Sequence, residues 1–115
     1  MKIGVTSQNF RTITGHAGKA RRFFIYNVQK GQEPQEIARL DLPKHMSIHA
    51  YKEAPHPIDD LDILITASCG EGFARKMVMK DIDLVKTSET DPVTAVKAII
   101  EGVPLAEPQP LDTIL

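Results

Sequence analysis

The segment Asp62-Ile63-Leu64-Ile65-Thr66 constrains the fold most. A short uninterrupted apolar run reads as a strand buried on both faces. Such a strand needs a layer of structure above and below it. Ala67-Ser68-Cys69-Gly70-Glu71-Gly72 then turns the chain, and Phe73 to Met79 continues as a helix, with Phe73 and Met77, and Ala74 and Val78, at helical spacing. Ile82 to Thr87 is a second strand. Asp91 reads as an N-cap with Pro92 at the first helical position, opening a helix through Glu101 that Gly102 stops. Val93, Val96, Ile99 and Ile100 form its apolar stripe. This strand–helix–strand–helix unit requires a parallel pair joined by a right-handed crossover.

The first half has a different grammar. Ile3 to Thr6 is a short strand with Ile3 and Val5 on one side. Ser7 to Lys19 is polar and glycine-punctuated, with His16 between Gly15 and Gly18, and predicts a long loop. Loops beyond about a dozen residues are usually functional or mobile. Arg22 to Gln29 reads as a strand, Lys30 to Pro34 as a turn, and Glu36 to Leu42 as a hairpin partner with Ile37, Leu40 and Leu42 apolar. Pro43 ends it. Lys44 to Pro57 fits neither period and holds His45, His49 and His56. Ile58 to Leu61 is expected as a remnant of a helix before the buried strand. From Val103 the pattern is lost, and Pro104, Pro108 and Pro110 mark a tail that orders only if it docks. The expectation is one α/β domain, a mixed sheet with helices on its faces, over residues 1–102, followed by a proline-containing tail over 103–115.

Composition narrows the function classes. A chain of 115 residues suits one domain, and 42% hydrophobic with 25% charged residues is an ordinary globular balance. A net charge of −1 argues against a nucleic-acid binder held by phosphate contacts. The run Lys19-Ala20-Arg21-Arg22 reads as a solvated surface. No apolar stretch approaches a membrane span, and Met1-Lys2-Ile3-Gly4-Val5 enters a strand without a leader pattern. The single Cys69 excludes an intrachain disulfide framework. These features lead us to expect a cytoplasmic protein with no nucleic-acid or membrane partner.

Chemistry concentrates in few places. Cys69 follows a buried strand and precedes a helix, at the strand ends where open α/β sheets bind ligands. A helix N-terminus would lower its pKa, and Gly70 and Gly72 would let backbone approach a ligand. Position alone leaves a reactive thiol and a structural core cysteine both open. His45 and His49, four apart, would share a face if that stretch were helical. Imidazole with thiolate suits transition metals and iron–sulfur species. No CxxC or HExxH spacing is present, so a preformed zinc cage is not expected. Gly70-Glu71-Gly72 lacks the Lys and Ser/Thr of a phosphate loop. A Cys69–His pair (His16 or His49) lacks an evident orienting group and oxyanion site.

The opening Lys2-Ile3-Gly4-Val5-Thr6 with Ser7-Gln8-Asn9-Phe10 and Thr14-Gly15-His16-Ala17-Gly18-Lys19 resembles the start of dinitrogenase iron–molybdenum cofactor biosynthesis domains, the NifX-like proteins also found as the C-terminal part of NifB. The later strand, glycine loop and helix, and the closing helix at 91–102, are similar in order and spacing. The resemblance implies a ribonuclease H-like α/β fold. It implies a small non-enzymatic carrier that binds an iron–sulfur or iron–molybdenum cluster precursor and passes it between donor and acceptor proteins. Carried over, the candidate ligands are His16 and Cys69. His49 and His45 are further candidates, with Gly70 and Gly72 bordering the site. Two other readings stand beside it: an adaptor recruiting a partner through the tail or sheet edge, and a thiol-dependent enzyme.

Overall fold

Successive side chains on a strand point to opposite faces, so a strand apolar at every position needs cover on both. The computed structural model describes residues 1–51 and 55–108; residues 52–54 of the histidine-bearing segment and the expected tail beyond 108 lie outside them. In chain order the elements are β1 (Lys2–Thr6), β2 (Arg22–Asn27), β3 (Gln35–Asp41), a 3-10 turn (Lys44–Met46), β4 (Ile63–Thr66), α1 (Glu71–Met79), β5 (Asp83–Lys86) and α2 (Pro92–Glu101).

They form one mixed sheet in the order β3-β2-β1-β4-β5. The hairpin half is antiparallel, with Ile3 opposite Tyr26 across β1 and β2. The β-α-β half is parallel, with Ile3 opposite Ile63 and Leu64 opposite Leu84. The chain reverses from β1 to β2 through the long loop over residues 7–21 and from β2 to β3 through residues 28–34, while the α1 crossover returns β5 parallel to β4.

Alternation sorts the core. Ile3, Val5, Phe24, Tyr26, Ile63 and Ile65 pack with Ala95 and Val96 of α2 on one face. Phe23, Ile25 and Leu64 pack with Phe73 and Met77 of α1, and with Ile48, Ile58 and Leu61, on the other. Each fully buried side chain of this size is worth roughly 1.5–3 kcal/mol of transfer free energy. Gly4 shares the α1 face, where a Cβ would stand 2.5 Å from Leu61 Cδ1. Two layers of helix and loop thus clasp the sheet, and β4 is buried at every position.

The structure corrects several expectations. Ile37 is not a core residue but 49% exposed, because the β2–β3 register slips between Ile25 and Tyr26 and leaves it in a bulge. Ala38, Leu40 and Leu42 face the core instead. Val78 is 78% exposed, since α1 buries only Phe73 and Met77. Residues 57–60 form turns rather than a helix. His45 and His49 do not share a helical face, because helical geometry after Pro43 lasts only from Lys44 to Met46. The described start of the tail docks: Leu105 packs on the α2 side, and the Ala106 carbonyl accepts from Thr87 Oγ1 at 2.7 Å.

Candidate functional site

β1 and β4 are parallel neighbours, so their carboxyl ends lie together, and both end in a fully buried threonine, Thr6 and Thr66. The two hydroxyls are 2.8 Å apart and reach the Thr14 carbonyl at 2.6 and 3.1 Å. Ala67 N–H also donates to that carbonyl, at 3.1 Å. Buried hydroxyls need such partners, and here they draw the long first loop back over the strand ends. The loop that sequence reading leaves open is therefore sewn to the sheet.

His16 follows Gly15 in a left-handed backbone conformation, φ 54°. Its N–H donates to Ser68 Oγ at 2.9 Å, and Ala17 N–H donates to the Ser68 carbonyl at 3.1 Å. The histidine-bearing segment reaches the same place from the α1 side. His49 N–H donates to the Gly18 carbonyl at 2.7 Å, and Lys76 Nζ donates to the Ile48 carbonyl at 3.1 Å.

Three stretches around residues 14–20, 47–50 and 67–72 thus converge. Between them lies an open groove of about 260 Å³ bordered by His16, Lys19, His49, Gly70, Gly72 and Phe73. His16 and Lys19 also border an adjoining hollow of about 390 Å³ with Gln8, Thr14 and Ala20. Both imidazoles are exposed. No side chain caps α1 at Gly70, so the positive end of its dipole is open on this side. With Lys19, this open end favours an anionic guest, while the imidazoles of His16 and His49 offer ring nitrogens that can donate electron pairs.

The expected site residues divide. His16, His49, Gly70 and Gly72 meet at one groove. His45 is exposed on the 3-10 turn and borders neither hollow. Cys69 is half-buried and packs against the α1-side core. Burial pushes its thiol pKa up, and the Lys86 charge only partly opposes this. Burial thus shifts the thiol in the direction opposite to the lowering expected from its position before α1. His56 is a structural residue, 5% exposed, with Nε2 2.6 Å from the Met46 carbonyl and Nδ1 accepting from Ile58 N–H at 3.2 Å. Among the described residues, no three His, Cys, Asp or Glu side chains are gathered so as to hold a metal ion by themselves.

Lys19, Ser68 and Phe73 are the participants that sequence reading missed. Lys19 looked like one charge of a solvated run, and its place two grooves wide follows only from the turn His16 makes. No described helix is long and apolar enough to cross a membrane.

Comparison with known proteins agrees with this architecture. No curated protein matches the chain with significance. Among solved structures, that of PH0822 superimposes with a TM-score of 0.71 at 16% identity, over 93% of this chain and 96% of that one. A Thermotoga protein, TM1290, provisionally described as NifB and placed in the DUF35 family, gives 0.58 at 14% identity over 88% of each chain. At these identities the likeness speaks for the fold alone. The sequence itself carries the stronger tie, a match to the model described as dinitrogenase iron-molybdenum cofactor over residues 1–102. The chain belongs to that family.

Proposed function

We propose that the protein is a small carrier of a metallocluster, an iron–sulfur or iron–molybdenum cofactor precursor held as cargo and exchanged with donor and acceptor proteins. The observation that carries this reading is the meeting of His16 and His49 on one open groove at the carboxyl ends of parallel strands. Neutral imidazoles are ligands for such metals. A pair of them, without a closed cage, suits a guest that brings ligands of its own and must leave again. Cys69, one residue from the groove wall at Gly70, is the proposed third ligand to a multi-atom cluster, since it does not stand with the two histidines around a single metal ion. Its raised pKa favours the protonated thiol, which weighs against the thiol-dependent enzyme reading and requires a bound metal to displace that proton before Cys69 can ligate. The strand order, with β2 the strand that runs against both neighbours, supports a ribonuclease H-like arrangement. The unpaired cysteine supports a cytoplasmic setting.

Anaerobic reconstitution with iron and sulfide tests the proposal. The protein should develop charge-transfer absorbance, and His16→Ala and His49→Ala should each diminish it. Equal absorbance in Cys69→Ala removes the thiol from the ligand set. No uptake by the unaltered protein of iron–sulfide or molybdenum species sinks the carrier reading.

A further inference from the structure

We infer that Ser68 is the positioning residue of this site: it holds His16 at the groove and thereby sets the affinity of the imidazole pair for metal. The inference rests on the carrier reading of the groove. Ser68 does not itself border the groove or the adjoining hollow, so it acts only through what it holds.

What it holds is the one histidine with an unfavourable backbone. A residue with a Cβ adopts positive φ reluctantly, and His16 has φ 54°. The peptide units on both sides of His16 end on Ser68: the His16 N–H on its hydroxyl and the Ala17 N–H on its carbonyl, at 2.9 and 3.1 Å. The contact is also close, since a Cβ on Gly15 would stand 2.3 Å from Ser68 Oγ. The Ser68 carbonyl lies 3.2 Å from Thr66 Oγ1, which places the clamp on the end of β4. From His16 the hold passes onward. Lys19 N–H donates to the His16 carbonyl at 2.9 Å, and Gly18 takes the His49 N–H at 2.7 Å. One serine therefore sets the conformation of the first ligand and, through Gly18, the seat of the second. Partners outside a ligand set act in this way by fixing ligand orientation.

Two measurements separate this from a purely structural role. The first is amide hydrogen exchange in the metal-free protein. Ser68→Ala should accelerate exchange at His16 while the amides of β1 and β4 keep their protection; unchanged exchange at His16 overturns the inference. The second is titration with Co²⁺, followed through the His16 and His49 ring resonances. Ser68→Ala should weaken Co²⁺ binding about tenfold, the lower end of the range for removing a ligand's supporting partner. Ser68→Thr keeps the hydroxyl and should recover most of that loss. Wild-type affinity in Ser68→Ala, or no recovery in Ser68→Thr, overturns the inference. A wild-type protein that takes up no Co²⁺, or a His16→Ala variant that binds as wild type, instead overturns the reading of the groove. The exchange measurement decides in either case whether Ser68 holds the His16 backbone.

Discussion

The backbone N–H of His49 donates to the carbonyl of Gly18 at 2.7 Å, fastening the segment that carries one groove histidine to the loop that carries the other. Neither stretch has regular secondary structure at that point, so the geometry of the pair depends on what anchors each of them. Ser68 anchors the first. The second is pinned by Lys76 at Ile48, by Lys80 at Asp59, and by the buried ring of His56.

His56 should therefore matter for stability. Its Nδ1 accepts from Ile58 N–H, which leaves Nε2 to donate to the Met46 carbonyl, and the ring packs edge-on to Tyr51 at 5.5 Å. His56→Ala strands a buried donor and acceptor, and the loss should be about 1–3 kcal/mol. Urea denaturation measures it. A change within about 0.5 kcal/mol, the range of an ordinary surface substitution, would contradict the anchoring role.

Cys69 should alkylate slowly at neutral pH. Burial raises its thiol pKa and the Lys86 charge pulls it partly back, so the thiolate fraction at neutral pH is below that of an exposed thiol. The sign follows directly: the folded protein keeps the proton that an unfolded chain would release, and folding stability falls as pH rises between the two values. Iodoacetamide rates measured against pH should give an inflection above that of an unfolded control. Lys86→Ala should move the inflection higher still. An inflection at or below the control's would show that the helix end, rather than burial, governs the thiol.

How far the sequence foretold all this depends on how local the cause is. The β4–α1–β5–α2 half was legible because each boundary has a local signal: the apolar run of Ile63 to Thr66, the cap at Asp91, the stop at Gly102. Ile37 was misplaced because alternation alone does not reveal a bulge. His56 and His49 looked alike in sequence, yet one is core and the other borders the groove. Their difference arises from contacts with Met46, Ile58 and Gly18, none of which leaves a periodic mark. Ser68 was hidden for the same reason, since its partners His16 and Ala17 lie some fifty positions away.

The approach of Gly15 to Ser68 predicts coupling between the two. A Cβ on Gly15 would meet Ser68 Oγ at 2.3 Å, and backbone or side chain must shift to admit it. Gly15→Ala should destabilise by about 1–3 kcal/mol, as overpacking does. In a Ser68→Gly background the obstacle is gone, so the added penalty should fall well below that in the wild type. Residues in contact behave non-additively, and a double-mutant cycle reads the coupling. Strict additivity would mean that the loop relaxes freely around the new methyl group.

Asp91 offers a way to lower stability without touching the groove. Its carboxylate accepts from Thr94 Oγ1 at 2.6 Å and from Thr94 N–H at 2.9 Å, and the side-chain bond first, then the backbone bond, holds its pKa below the usual carboxylate value. Replacing such an N-cap by alanine costs about 1 kcal/mol. A lowered folded-state pKa means that the contribution is present above the ordinary carboxylate pKa and is lost as pH falls through the folded value. The gap between wild type and Asp91→Ala should therefore be full at neutral pH and narrow on acidification. Because α2 packs on the sheet face opposite α1, metal uptake at the groove should remain at the wild-type level well below the melting temperature. A gap that persists at low pH would show that the cap works through its shape rather than its charge. Impaired uptake would show instead that the two faces of the sheet are coupled.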